Sequence, residues 1–359
     1  MNIYGENIKF SIFGESHGVG IGGVLDGIGA GKRIDFEKID FLLKRRNHRA
    51  SYSTQRNESD AYEILSGVVD GVTTGSPIGF IIKNHDTKSK HYNNLGEVMR
   101  PSHADYPAFV KFNGFNDERG GGHFSGRITA PLVIAGGFAK EILFEKGINI
   151  VSHITQIGNV KGKSLLNKEI DENLIEKLNS SYFPVLNDDL KEKYMSEIEN
   201  ARNDSNSIGG VVEVVITGID AGYGEPFFAS VESRLSSIMF SVPAVKGIEF
   251  GLGFDIASKT GYDANDFYYY DENKNVKTKT NNNGGILGGL TNGMPVVFRC
   301  AIKPTPSIFK EQDTINVKTK ENVSLSLEGR HDVCIVPRAA AVLECASALV
   351  LLDILKGGK

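Results

Sequence analysis

The sequence predicts an α+β protein, a sandwich of antiparallel or mixed sheets and helices. Segments with strand period and segments with helical period follow one another without strict alternation, which disfavours a doubly wound parallel sheet. Hydrophobic residues make up 40% of the chain and charged residues 23%, the balance of an ordinary globular protein. With 359 residues the chain is long enough to bury roughly three quarters of its unfolded surface, so it needs no metal or disulfide to hold a core. A single domain over 1–359 is expected, with polar, solvated excursions near 160–208 and 265–283.

Taken in order, the strand-like runs are IKFSIFG (8–14), GGVLDGI (22–28), PIGFIIK (77–83), VVEVVITGI (211–219), GIEFGLGF (247–254), PVVFRCAI (295–302) and DVCIVP (332–337). Helical signals lie between them. Asp35 is placed to cap FEKIDFLLKRR, and a long apolar run from Arg127 ends at Gly147 as a helix with a glycine cap would. Residues 189–203 and 230–242 repeat apolar side chains at helical spacing, and a last helix covers 338–355. The tyrosines of NDFYYYDENKNVKTKTNNN (265–283) cannot all face one side of a regular element, so this stretch reads as a mobile lid or an exposed connection.

Charge and cysteine usage exclude several classes. Forty basic against 44 acidic residues give a net charge of −4, unlike the basic blocks of a nucleic-acid or membrane-surface binder. Cys300, Cys334 and Cys345 form no CxxC pair and have no zinc-like histidine spacing, so they read as free thiols in a reducing compartment. The longest apolar stretch, AAAVLECASALVLL from Ala339, is shorter than the ~20 residues that span a bilayer, and Glu344 interrupts it. With no signal-peptide pattern at the N-terminus, a cytoplasmic protein without a metal site, nucleic-acid partner or membrane partner is expected.

Glycine is in excess, 41 residues where an average usage predicts roughly 25. The excess falls in clusters at 18–31, 119–126, 221–226, 246–254 and 281–293, which suggests loops from distant segments meeting at one place, although turn chemistry alone explains many of them. Gly18, Gly20 and Gly23 match GxGxxG, but the following VLDGIGAGKR cannot supply the helix that a dinucleotide site needs. His17 in FGESHG and His103 in MRPSHADY are suited to proton transfer near neutral pH, or to capping a turn. Arg45, Arg46 and Arg49 end one helix, and Arg100, Arg119, Arg127, Arg330 and Arg338 adjoin glycine, proline or serine clusters. Such placement suits bidentate contacts to a small polyanion; surface ion pairing is the plainer reading of any one of them. Lys303 in KPTPS and Asp332 in GRHD extend the same chemistry.

Ten motifs in order resemble one family, the chorismate synthases. They are FGESHG (13–18), the block from Arg45 and Arg46 through STQR to ESDAYEILSGVVDGVTTGSPIGF (58–80), MRPSHADY (99–106), RGGG (119–122), DSNSIGG (204–210), GEPFF (224–228), PAVKGIEFGLGF (243–254), GGILGG (284–289), KPTPS (303–307) and GRHD (329–332). The resemblance covers nearly the whole chain. It implies a β-α-β sandwich, a homotetramer, and a 1,4-anti elimination of phosphate from 5-enolpyruvylshikimate 3-phosphate that yields chorismate with the help of reduced FMN.

By resemblance, His17 protonates reduced flavin, His103 assists phosphate departure and Asp332 relays a proton with the flavin, while Ser16 and Ser125 match active-site serines. Arg45, Arg46, Arg49, Arg100 and Arg127 match substrate contacts. The flavin positions correspond to His123, Phe124, Ser125, Pro243, Ala244, Gly288, Lys303, Pro304, Thr305, Pro306, Ser307 and Arg330. The chain departs from the family pattern in two places. GGGHFSGRIT stands where GGGRSSARET is usual, so His123, Phe124 and Ile128 replace an arginine, a serine and an acid; Ser51 stands where RRPGxxR places an arginine. The lack of a dinucleotide motif favours an external flavin reductant over reduction by NADP(H) on this chain. The alternatives are a non-catalytic flavin- or anion-binding protein on the same scaffold, or a flavin reductase.

Overall fold

Two helices that are apolar on every side form the middle of the molecule. A computed structural model describes residues 2–50, 60–84, 97–327 and 332–359. Thr129–Phe144 buries 13 of its residues, and Val336–Gly357 buries every residue from Val336 to Ile354 except Arg338. A helix apolar all round must be covered on all sides, and here a sheet covers each side. Gly136 allows the two helices to touch: a Cβ there would lie 2.3 Å from the Cys345 carbonyl oxygen. A third helix, Phe36–Arg46, packs across both and places Ile39 against Gly137. The Asp35 side chain accepts from the Glu37 amide at 3.0 Å, and Lys44, Arg45 and Arg46 occupy the C-terminal turn, where the helix dipole favours cations.

The first sheet runs Ile3–Tyr4, Lys9–Gly14, Gly20–Asp26, Ile78–Lys83, Tyr62–Ile64 across its width, with each neighbour antiparallel. Ser11 sits opposite Val24, and Val24 opposite Gly79. The second sheet is also antiparallel, ordered Val160–Lys161, Asn149–Ile157, Gly210–Thr217, Val296–Ile302, Val245–Phe250. The first sheet packs on Thr129–Phe144 and the second mainly on Val336–Gly357, which gives sheet, helices, sheet. Most buried apolar side chains among the described residues form one contiguous cluster. The α+β class and the sandwich agree with the sequence expectation.

Several local expectations change. DVCIVP is no strand among the described residues; Cys334 is buried in a short connection and the helix starts at Val336, with Pro337 in its first turn. Asn149–Ile157 is a strand that the sequence pattern concealed, because Ser152, His153 and Thr155 occupy buried positions and break its apolar run. The segment 160–208 is polar only on its outside. It carries helices Glu172–Asn179 and Asp188–Asn203, buries Tyr194 and Ile198 in the main core, and joins Leu165 and Leu178 to Val151, Val215 and Val297 in a small second cluster. The tyrosine stretch is a hairpin, Tyr268–Tyr270 against Val276–Thr278, with all three tyrosines exposed. Asp266 anchors its base by accepting from the amides of Asn282 and Asn283. The GxGxxG residues lie in a turn and in the strand Gly20–Asp26, with no helix following. Among the described residues no helix is long and apolar enough to cross a membrane.

Candidate active site

The turn Glu15–Gly18 leaves the end of the second strand of the first sheet, closed by the Gly18 amide donating to the Glu15 carbonyl at 3.1 Å. Ser16 and His17 are buried, and the Ser16 hydroxyl lies 3.0 Å from His17 Nδ1. The RGGG loop crosses directly over them. The Ser16 amide donates to the Gly122 carbonyl at 3.1 Å, and Gly120, at φ +66°, leaves room for the imidazole: a Cβ there would lie 2.2 Å from His17 Cε1. Glycine at 120 is therefore required twice, by the left-handed backbone and by the close approach.

The same loop reaches His103. Arg100 donates to the Gly120 carbonyl at 2.6 Å and forks onto Asp105 with two contacts of 2.7 Å, while His103 Nδ1 lies 2.7 Å from the same carboxylate. Burial pushes the Asp105 carboxyl up, and Arg100 and His103 overcome it, holding the group well below the usual carboxylate range. Lys303 donates from Nζ to the Ser102 carbonyl at 2.7 Å, which brings KPTPS against this turn. Its backbone amide donates to the Ala244 carbonyl at 2.9 Å, so Pro243 and Ala244 lie at the same end of the second sheet. Ala244 holds a left-handed φ of +74°, unusual for a residue with a Cβ.

On the other flank of His17, Asn84 donates to the carbonyls of Glu15 and Gly18 at 2.9 and 3.0 Å and accepts from Arg127 Nε at 3.3 Å. Arg127 also pairs with Asp60, whose second oxygen lies 3.7 Å from Arg46. Ser125 caps the turn that carries Arg127, accepting its amide at 3.2 Å. Beyond Arg46, His48, Arg49 and Asp60 line a cavity of about 440 Å³. Arg338 pairs with Asp332 at 3.0 Å and donates to the His48 carbonyl, which ties Asp332 to that end of the helix. Polar contacts thus join the neighbourhoods of His17, His103, Arg127 and Asp332.

Some expected members stand elsewhere. Arg45 does not face the site: it is 2% exposed and forks onto Glu344 at 2.9 and 2.7 Å within the helix layer, while Nε donates to the Ser181 carbonyl. The expected substrate contact is corrected there, because a buried carboxylate claims the guanidinium. Gly288 belongs to a hairpin beside the start of Val296–Ile302, whereas Lys303 follows its end, so a strand's length of about 20 Å separates them within one chain. His123 Nδ1 donates to the Gly14 carbonyl (2.7 Å) and Nε2 lies 3.3 Å from the Asn2 side-chain oxygen, so both ring nitrogens face the first sheet. Phe124 packs near Phe112 and is partly exposed. Pro304 is exposed, Pro306 half-buried and Ser307 buried. Ser51, Arg56, Arg330 and His331 lie outside the described residues.

The sequence reading missed Asp60, Asn84 and Asp105. Asp60 pairs an arginine from a distant segment and so has no local signal, whereas Asp105 pairs Arg100 and His103 within MRPSHADY, where the spacing could have disclosed it. The residues also fit a phosphate-bearing cofactor. Thr305 Oγ1 is buried with no partner among the described residues, near Lys303, whose charged form is disfavoured by burial and by Lys246. An anion there would relieve both.

Fold and site together define an α+β protein that gathers arginine, lysine and histidine around glycine-rich loops. The family model described as chorismate synthase matches residues 8–355. A chorismate synthase of Pyrococcus abyssi is 46% identical over 350 residues, covering 97% of this chain and 96% of its own, and one from Methanocaldococcus jannaschii is 43% identical over 370, covering 100% and 97%. A crystal structure of chorismate synthase is 30% identical with a TM-score of 0.73, covering 98% of this chain and 92% of the other. The chain belongs to the chorismate synthase family and is an enzyme of the lyase class.

Proposed function

We propose that this chain converts 5-enolpyruvylshikimate 3-phosphate to chorismate by 1,4-anti elimination of phosphate, with reduced FMN as an unconsumed cofactor. The observation that carries the reading is the run of contacts from His103 through Asp105 and Arg100 to the Gly120 loop, which packs on His17 and bonds Ser16, and from the Glu15–Gly18 turn through Asn84 to Arg127. Phosphate is a poor leaving group from carbon unless its charge is met, and a poorly acidic C6 hydrogen must leave as well. When bound, reduced FMN supplies the electron density that this departure needs.

The chain's own residues do the rest. Arg127 and Arg46 both pair with one carboxylate, Asp60, which holds two guanidinium groups side by side where an anionic substrate would need them. His103 donates a proton to the departing phosphate, and His17, buried against Gly120, holds a proton beside the cofactor. Lys303, Thr305 and Ser307 would hold the flavin phosphate side, with Ala244 at the neighbouring turn. Asp332, paired with Arg338, serves as the second proton relay. The assembly is a homotetramer in the cytoplasm, in which another copy supplies the Gly288 loop that one chain holds far from Lys303, and an external enzyme reduces the flavin.

Anaerobic incubation with dithionite-reduced FMN and the phosphorylated substrate tests the reading. Equal amounts of phosphate and chorismate, with the flavin still reduced at the end, are expected. Flavin binding without phosphate release would point to a binding module, and NADPH-driven flavin reduction to a reductase.

A further inference from the structure

The carboxylate of Asp105 is the centre of a small, closed arrangement. It accepts from the Arg100 backbone amide at 3.0 Å, from Arg100 Nε and Nη2 at 2.7 Å each, and meets His103 Nδ1 at 2.7 Å. Arg100 and Asp105 are mostly buried, and the His103 side chain is 20% exposed. The intervening turn is rigid: Pro101 follows Arg100, Ser102 takes a left-handed φ of +55°, and the His103 amide closes back on the Arg100 carbonyl at 3.2 Å. Lys303 clamps the turn from outside through the Ser102 carbonyl.

An ionised carboxylate only accepts, so His103 must carry a proton on Nδ1. That leaves Nε2, which has no partner among the described residues, as the nitrogen able to face a substrate. Arg100 keeps Asp105 from swinging away, and its remaining contact to the Gly120 carbonyl sets the spacing to His17.

We propose that Asp105 is a positioning residue that holds His103 through its Nδ1–H, so that the doubly protonated ring presents Nε2–H to the departing phosphate and is left, once that proton is given up, as the neutral Nδ1–H tautomer. The inference rests on the acid role of His103 proposed above. An asparagine at 105 can donate from its amide to Nδ1, which favours the opposite tautomer, with the hydrogen on Nε2 and no stored charge. Loss of an orienting carboxylate by such a swap costs up to about 10⁴-fold in kcat in a serine protease triad.

The experiment compares wild type, Asp105→Asn, Asp105→Glu, His103→Ala and the Asp105→Asn/His103→Ala double variant of the full chain under the anaerobic assay. Alongside it, two-bond ¹H–¹⁵N spectra of histidine-labelled protein report the tautomer, with His103 assigned by its loss in His103→Ala. Expected are a protonated Nδ1 in wild type, a tautomer change in Asp105→Asn, and a kcat loss of about 10²-fold or more with KM within about twofold. Asp105→Glu should recover part of the loss, and Asp105→Asn should add nothing once His103 is gone. A wild-type kcat in Asp105→Asn, losses that multiply in the double variant, or a wild-type ring with hydrogen on Nε2 and none on Nδ1 would each overturn the inference. Full activity in His103→Ala would instead overturn the acid role on which it rests.

Discussion

Gly120 shows how one residue can decide the geometry of a reacting group. Alanine there would carry its Cβ into the His17 ring and also force a left-handed backbone, which costs roughly 1–2 kcal/mol on its own. Gly120→Ala should therefore lower the melting temperature modestly and reduce kcat by displacing His17, both read on the same sample. His17→Ala keeps the loop and removes only the imidazole, so kcat should fall about 10- to 10⁴-fold at saturating reduced FMN with little change in melting temperature. A near-wild-type rate would contradict the role given to His17. At this scale the sequence disclosed the titratable residues set in motifs, His17 and His103, because glycine and proline neighbours mark a loop locally. It did not disclose Arg45's partner, since Glu344 lies 299 positions away and stands out in the chain only as an interruption of an apolar run.

Glu344 is the element-scale counterpart. It is wholly buried on the central helix and receives Arg45 from one neighbouring helix, Lys140 from another and the Ser152 hydroxyl from the second sheet. Burial pushes its carboxyl up, but Arg45 and Lys140 outweigh that and hold it at about 2, below the ordinary 4.5. Because the folded value is depressed, the stabilising contribution is complete above about pH 4.5 and is lost as pH falls toward 2. Chemical denaturation from pH 6 to 2.5 should show stability falling steeply below about 4.5, and Glu344→Gln should flatten that limb. At neutral pH the same variant leaves Arg45 and Lys140 without their counter-charge and should lose about 3–5 kcal/mol. An unchanged acid limb would contradict the assignment. The longer helices were legible because Asp35 as a cap and Gly147 as a stop are local signals, and six of the expected strand runs were legible from their apolar pattern. The strand Asn149–Ile157 was not, since a strand buried on both faces with His153 paired to Glu213 loses the alternation that marks a surface strand.

The whole molecule is closed by contacts between its ends. Asp353, one turn from the end of the last helix, accepts from the amides of Glu6, Asn7 and Ile8 and pairs with Arg234, so the N-terminal turn is held on the helix that forms the core. Fold class was legible at this scale because period and order are global properties of the sequence. The convergence of loops was legible only as an excess of glycine, and which loop meets which depended on long-range pairs such as Arg127 with Asp60 and Lys303 with Ser102. The central claim is that these distant segments make one cationic site for two anions. A crystal structure with oxidised FMN and 5-enolpyruvylshikimate 3-phosphate soaked in tests it most directly. Both molecules should lie in contact with each other, the substrate phosphate within hydrogen-bond reach of His103 and Arg127, and the flavin beside His17. Density for either molecule on a face that touches none of these residues would contradict it.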